Sequence, residues 1–408
     1  MTDPKANHVF TFFESLGGVQ SVLRHHYEND SAWQIHSKFT TVFEREALDR
    51  DRVRPLAQSS LGSIRSSRLR FSGAVSDLPA ATFIYHNLWG LPIFADLDRS
   101  SRRIGVLHSD WPTLRYELAE ASGLIDGLLC VSDPLMKIAQ EIFPSLASSG
   151  RIRFLPYPIK PSPAVARGSQ ARLPRGKPRS LVIGFCGRLV NAQKRIDRLL
   201  PLCERLDAEG LSYTLEILGT GPEEPGLRRR FSRRSNVQFH GLKKGEDYWR
   251  TVAQWDAILF TSDYEGLPIA LLEAMSVGAV PIYPAIASGG DEYARRVAPE
   301  CLFDPKGTDF VANACRSILW LSSMSEETRG ELAKECIQQT KHHSMDAYFR
   351  TFSEFYNFIR GTDRISTHDF QPRPRLLSDY LPFALLERVC RNRFFIPPKP
   401  RVRLEKER

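Results

Sequence analysis

The chain has 408 residues, 42% of them hydrophobic and 25% charged, with a formal net charge of +9. That balance excludes a fibrous or wholly disordered chain, and the length suits two domains plus a tail. No stretch reaches the roughly 20 apolar residues that cross a bilayer, and the opening MTDPKANH lacks the apolar run of an export signal, so a cytoplasmic protein is expected.

In chain order, His8 to Phe13 reads as a first strand, followed by Gly17-Gly18 and a helix from about Val19. Thr82 to Tyr85, Arg103 to Leu107 and Leu128 to Val131 read as short buried strands, with a helix at Thr113 to Glu120. Alternation of this kind argues for a parallel α/β sheet. Residues 49–80 are rich in Arg and Ser and show no clear element. A Pro-, Gly- and Arg-rich stretch then follows from Lys160 to Arg179, and its composition is that of a linker.

The pattern restarts beyond it. Leu181 to Phe185, Thr214 to Leu218, Val237 to Phe239, Ala257 to Phe260 and Ala279 to Ile282 are expected strands. Arg195 to Leu206, Pro225 to Arg234, Asp247 to Gln254 and Ile269 to Val277 are expected helices. The domain boundaries are accordingly 1–165, a linker over 166–179, 180–345, a helix within 346–361 and a basic tail over 362–408. From Gln371 the tail holds ten Lys/Arg against four Asp/Glu, with Leu381 to Val389 as a further helix candidate.

The run TSDYEGLPIALLEAMSVGAVPIY, residues 261–283, carries the most chemistry. Pro268 suits a first helical position and Gly278 the residue past a helix end. Glu265 then lies in a strand-to-helix loop and Glu273 about two turns into the helix. Carboxylates there can fix sugar or ribose hydroxyls, and free N–H groups at the helix start favour an anion. Gly266 permits close backbone approach. The plain alternative is a surface helix with two solvated glutamates.

This run resembles the E-x7-E signature of retaining glycosyltransferases of family 4. Three more stretches agree in order: GFCGRLVNAQKRIDRLL (184–200), LEILGTGPE (215–223) and VQFHGLKKGEDYWRTVAQWDAILFTSD (237–263). In the first half SLGGVQSVL, RIGVLHSDW and IDGLLCVSD agree more loosely. The resemblance implies the GT-B fold, two Rossmann-like α/β domains facing across a cleft, with the helix of 346–361 crossing back to the first domain. It implies transfer of a hexosyl residue, with retention, from a nucleotide-diphosphate sugar such as a UDP-sugar to a glycan or lipid-linked glycan, as in polysaccharide or lipopolysaccharide assembly.

Roles follow residue by residue. The resemblance puts Arg188 and Lys194 on the donor diphosphate, Glu265 on the donor sugar and Glu273 on the ribose. Gly219, Gly221, Leu242, Gly266, Leu267 and Pro268 line the donor site. Gly17, Gly18, His108 and Asp110 belong to the acceptor side, with His108 near the reacting carbon and His86 a weaker candidate. Glu265, His108, Arg188 and Lys194 form the catalytic group. The Gly usual after the family lysine is Arg195 here.

No cofactor and no metal are expected. Asp96-Leu97-Asp98 has the D-x-D form of a manganese site in the other glycosyltransferase fold, but it reads as solvated surface, as does the repeat at Asp49 and Asp51. The seven cysteines are scattered without a C-x-x-C pair. No zinc-finger or RNA-binding signature accompanies the basic charge, so nucleic acid is not an expected partner. The tail's charge makes peripheral contact with an anionic membrane a further expectation. A non-catalytic membrane-surface or assembly protein on the same scaffold, and a nucleotide-sugar epimerase, are the two alternatives.

Overall fold

The computed structural model describes residues 5–13, 17–46, 49, 51–58, 61–78, 81–97, 102–111, 113–162, 180–305, 309–365, 376–382 and 385. The linker over 166–179 lies outside these, as does the tail apart from 362–365, 376–382 and 385, and with it most of the Leu381 to Val389 helix.

The first sheet holds β1 (Lys5–Phe10), β2 (His36–Thr41), β3 (Val53–Pro55), β4 (Thr82–His86), β5 (Arg102–Leu107), β6 (Gly127–Cys130) and β7 (Ile152–Phe154). All pairings are parallel, in the order β3-β2-β1-β4-β5-β6-β7. Its helices are α1 (Gly18–Asn29), α2 (Ile64–Ala74), α3 (Leu91–Phe94), α4 (Leu114–Glu120), α5 (Asp133–Ile142) and α6 (Pro144–Ser148). A parallel sheet is covered on both faces, and every residue of β4 and β6 is buried. Residues 49–80, featureless in sequence, contain β3 and α2.

The second sheet holds β8 (Leu181–Cys186), β9 (Tyr213–Leu218), β10 (Val237–Gly241), β11 (Ala257–Leu259), β12 (Val280–Pro284) and β13 (Leu302–Phe303), ordered β10-β9-β8-β11-β12-β13. Around it lie α7 (Asn191–Lys194), α8 (Leu199–Ala208), α9 (Glu224–Arg230), α10 (Gly245–Val252), α11 (Ile269–Ser276), α12 (Gly289–Val297), α13 (Phe310–Ser322) and α14 (Glu326–Thr340). The helix expected from Arg195 to Leu206 is broken at its start, because Arg195 itself is left-handed at φ 49° and separates α7 from α8. Pro268 is not the first helical residue. It is the extended N-cap of α11, while Gly278 takes φ 91° just past the helix end.

The last helix, α15 (Met345–Gly361), buries Tyr348, Phe349, Phe352, Phe355, Tyr356 and Ile359. Their spacing of three or four places them on one face, and Ser344 caps the start by accepting from the Ala347 N–H at 3.1 Å. That face packs on the first sheet. Phe352 stacks on His8 with ring centroids 6.0 Å apart, Tyr348 Oη meets His26 Nε2 at 2.7 Å, and Gly127 leaves room for Ile359 and Phe355. Each such burial contributes roughly 1.5–3 kcal/mol. Beyond it, a turn at Leu377–Tyr380 lies against α2, where Pro382 bridges Ser63 and Arg65 sits over the Tyr380 ring.

Candidate active site

Both sheets reverse their strand order once, between β1 and β4 in the first and between β8 and β11 in the second. Ligands in open parallel sheets bind outside the carboxyl ends of strands at such points. Gly17 and Gly18 follow β1, His86 ends β4, His108 follows β5, Arg188 follows β8, Gly219 follows β9, Leu242 follows β10 and Glu265 follows β11. The expected site residues therefore stand at strand carboxyl ends in both domains.

The two rims touch. A Cβ on Gly266 would lie 2.3 Å from the His108 carbonyl oxygen and 2.5 Å from Ser109 Cα, so only glycine fits. A Cβ on Gly18 would lie 3.2 Å from Ile269 Cδ1 at the start of α11. The Gly289 N–H donates to the Gly266 carbonyl at 2.7 Å, tying the loop to α12.

Glu265 is buried at 6% exposure, which for a carboxylate requires partners. Lys194 Nζ donates to its Oε1 at 2.5 Å, Ser262 Oγ donates to the same oxygen at 2.6 Å, and Gln193 Nε2 reaches Oε2 at 3.4 Å. Gln193 and Ser262 were not singled out in sequence, although each neighbours a residue or loop that was. Lys194 Cε lies 3.3 Å from the Cβ position of Gly187, so the lysine runs alongside the β8 end. Arg188 is the exposed residue next to it, and among the described residues its guanidinium has no hydrogen-bond or ion-pair partner. A cation already committed to Glu265 and an uncommitted guanidinium beside it form a site suited to a diphosphate.

Arg195 accepts the left-handed turn that a glycine adopts without cost. It bonds Asp197 at 3.0 Å and Asp263 at 3.1 Å, which anchors the turn presenting Lys194. Gly219, at φ 134°, and Gly221 pack directly on the carbonyls of Gly187 and Leu189, closing the floor between the β8 and β9 ends. Leu242 is 46% exposed, free to meet a flat ligand. Leu267 and Pro268 are buried behind the loop.

Glu273 is half-buried on α11, and Tyr248 Oη donates to its Oε2. Burial pushes its carboxyl up to about 7, against the opposing pull of the Tyr248 hydrogen bond. Tyr248, on α10, was not foreseen in sequence. Asp110, half-buried after β5, is also raised by burial.

His108 differs from its expected setting. Its backbone meets Gly266, but its ring is buried, with Nε2 2.8 Å from His86 Nδ1 and Nδ1 3.1 Å from Tyr157 Oη. Both ring nitrogens thus have protein partners. Burial, and secondly the charge of His26, push it down to about 3.

Asp96 is not solvated surface. Arg68 pairs with both its oxygens, at 2.7 and 2.6 Å, because α2 packs beside α3. Asp98 lies outside the described residues, and Asp49 accepts from Tyr27 Oη at 2.8 Å. Among the described residues, His8, His26 and Asp30 are the one group whose ligand atoms gather, within 4.8 Å. They lie inside the first domain, where His26 Nδ1 bonds Asp30 and His8 Nε2 bonds Ser37.

Residues 180–320 match the family described as Glycosyl transferases group 1. The chain is 30% identical over 106 residues to the Salmonella typhimurium protein named Putative colanic acid biosynthesis glycosyltransferase WcaL, covering 24% of this chain and 26% of that protein. It is 25% identical over 183 residues to the sulfoquinovosyl transferase SQD2 of Arabidopsis thaliana, covering 43% of this chain and 33% of that one. The matches span about a quarter to a third of these relatives. In fold, the pneumococcal O-GlcNAc transferase GtfA, solved with UDP and GlcNAc, superposes with a TM-score of 0.68 over 89% of this chain and 100% of that chain, at 11% identity. Residues 180–320 are thus similar to a group 1 glycosyltransferase domain, set in a frame of two parallel sheets like that of GT-B glycosyltransferases.

Proposed function

We propose that this protein is a retaining glycosyltransferase that moves a hexosyl residue from a nucleotide-diphosphate sugar to a glycan or lipid-linked glycan in polysaccharide or lipopolysaccharide assembly. The observation that carries the reading is the Lys194–Glu265 pair at 2.5 Å, buried where the second domain's strand ends meet His108 of the first. The relatives named for colanic acid and sulfoquinovosyl transfer, and the UDP in the GtfA complex, support that substrate class and a uridine donor.

In this reading Lys194 and the uncommitted Arg188 take the diphosphate, Glu265 the sugar hydroxyls, Glu273 the ribose and exposed Leu242 the base. Gly219, Gly221 and Gly266 give the backbone room to approach. Gly17, Gly18 and Asp110 face the acceptor, and His108 contributes its backbone at the junction rather than its buried ring. Charge grows on the departing diphosphate in the transition state, and fixed cations stabilise it there. Positioning supplies the rest. No metal and no cofactor are required in this scheme.

Incubation with UDP- and GDP-sugars and a lipid-linked or free glycan tests the reading. Released nucleotide diphosphate and a new glycosidic bond with the donor's anomeric configuration, read by NMR, are expected. An epimerised donor without acceptor dependence would replace the reading with that of an epimerase.

A further inference from the structure

Three imidazoles sit on neighbouring strands of the first sheet: His8 in β1, His86 in β4 and His108 just after β5. His8 Nδ1 lies 2.9 Å from His86 Nε2, and His86 Nδ1 lies 2.8 Å from His108 Nε2. At one end His8 Nε2 is 3.1 Å from Ser37 Oγ, which donates to Asp30 Oδ2. At the other end His108 Nδ1 is 3.1 Å from Tyr157 Oη. All six side chains are buried.

A neutral imidazole has one N–H and one lone pair, so a chain of such rings runs in one direction only. Burial lowers the three rings far enough to keep them neutral. A carboxylate can only accept, and Asp30 accepts at both oxygens, from Ser37 and from His26 Nδ1 at 2.7 Å. Ser37 has therefore spent its proton and must accept from His8 Nε2–H. His8 Nδ1 then accepts from His86 Nε2–H, and His86 Nδ1 from His108 Nε2–H. His108 Nδ1 is left to accept from the Tyr157 hydroxyl.

We propose that Asp30, acting through Ser37, His8 and His86, fixes His108 as the Nε2–H tautomer and so serves as a positioning residue for the cleft. The consequence falls on the His108 carbonyl, which lies against Gly266 and 3.4 Å from Tyr157 Oη. In the fixed direction the Tyr157 proton is used on His108 Nδ1, and this carbonyl is left free at the domain junction. In the reverse direction Tyr157 accepts from His108, and its own proton turns to the carbonyl. The tyrosine is braced from outside the sheet, because its N–H donates to His343 Nδ1 at 2.8 Å and His343 Nε2 meets Tyr293 Oη of α12 at 2.6 Å.

Nitrogen-15 NMR of the full chain labelled at histidine tests this, with His108 assigned through His108→Gln. The free protein is expected to show His8, His86 and His108 each protonated at Nε2. Ser37→Ala, folded by circular dichroism, is expected to mix the His108 tautomers, and Ser37→Thr to restore one. His108 protonated at Nδ1 in the wild type, or a pure Nε2–H state surviving in folded Ser37→Ala, would overturn the proposal. The functional arm rests on the donor-site reading: Ser37→Ala is expected to weaken UDP binding about tenfold, the scale of one hydrogen bond, and Ser37→Thr to restore it. Undiminished UDP binding in folded Ser37→Ala would refute the link to the cleft. A wild type that binds no UDP would instead fail the donor-site reading, and the tautomer measurement would still decide this one.

Discussion

The two sheets share a strand order around their reversal points but use their polar residues in opposite ways. In the second domain Arg188, Lys194, Glu265 and Glu273 gather beyond the strand carboxyl ends and on α11, with Arg188 exposed, Lys194 and Glu273 half-buried and Glu265 buried against Lys194. In the first, His8, His86 and His108 turn inward and spend their ring nitrogens on one another, Ser37 and Tyr157. In the proposed function the second rim binds the donor and the first holds its backbone still. The contact of Gly266 with His108 is where the two meet.

The sharpest way to break this contrast is to remove the charges of the binding rim. Lys194→Ala leaves the buried Glu265 without its cation, and Glu265→Ala removes the carboxylate proposed to hold the sugar hydroxyls. A charge-assisted hydrogen bond is worth about 1.5–3 kcal/mol, so turnover of each is expected to fall roughly ten- to a hundredfold while circular dichroism stays native. Near-native turnover in both folded variants would show that the pair is only structural.

Gly266→Ala acts on the junction instead. Its methyl group would press on the His108 backbone at 2.3 Å, and overpacking of this kind costs about 1–3 kcal/mol. Steady-state kinetics should show turnover down about tenfold, with the unfolding temperature lowered by a few degrees. An unaffected rate would mean that the junction does not matter to the reaction.

Glu273 sharpens the binding side through pH. Its carboxyl is raised from 4.5 to about 7 by burial, so the free folded protein holds a proton that the unfolded chain gives up. Stability from this group is present below pH 4.5 and is lost as pH rises through about 7. Glu273→Gln should flatten that part of the urea-denaturation profile. Ribose hydroxyls donating to Glu273 favour its ionised form, so nucleotide binding near pH 6 should release a proton. Calorimetry in buffers of different ionisation enthalpy reads this directly, and no proton release would remove Glu273 from the ribose.

Arg195→Gly is the mildest test. Glycine relieves a left-handed residue worth roughly 1–2 kcal/mol, while the lost pairs with Asp197 and Asp263 are half-exposed and worth about 0–1 kcal/mol each. Stability should change by no more than about 2 kcal/mol, and Lys194 should keep its place. A large loss of turnover would make Arg195 part of the site.

The second domain was the more legible of the two. Gly187, Gly219 and Pro284 mark the ends of the apolar strands β8, β9 and β12, the first helical residue of α11 lies one position past Pro268, and Gly278 stands just past the helix end as expected. The first domain hid β2 because HSKFTT looks polar, yet Ser37 and Thr40 bury their hydroxyls against Asp30 and Asn7. It hid α2 because IRSSRLRFSGA turns only Ile64, Ser67 and Phe71 inward, while Arg68 reaches across to Asp96. His108 could be seen to end a strand, but its ring contacts depend on which strands lie side by side. Pairing of β4 between β1 and β5 decides that, and no local pattern encodes it.

The most direct test is calorimetric titration of UDP and GDP, with chelator present, into wild type and Lys194→Ala. One nucleotide diphosphate should bind the wild type and bind the variant roughly ten- to a hundredfold more weakly. Equal affinity in the two proteins, or binding of neither nucleotide to folded wild type, would contradict a donor site built on Lys194 and Glu265.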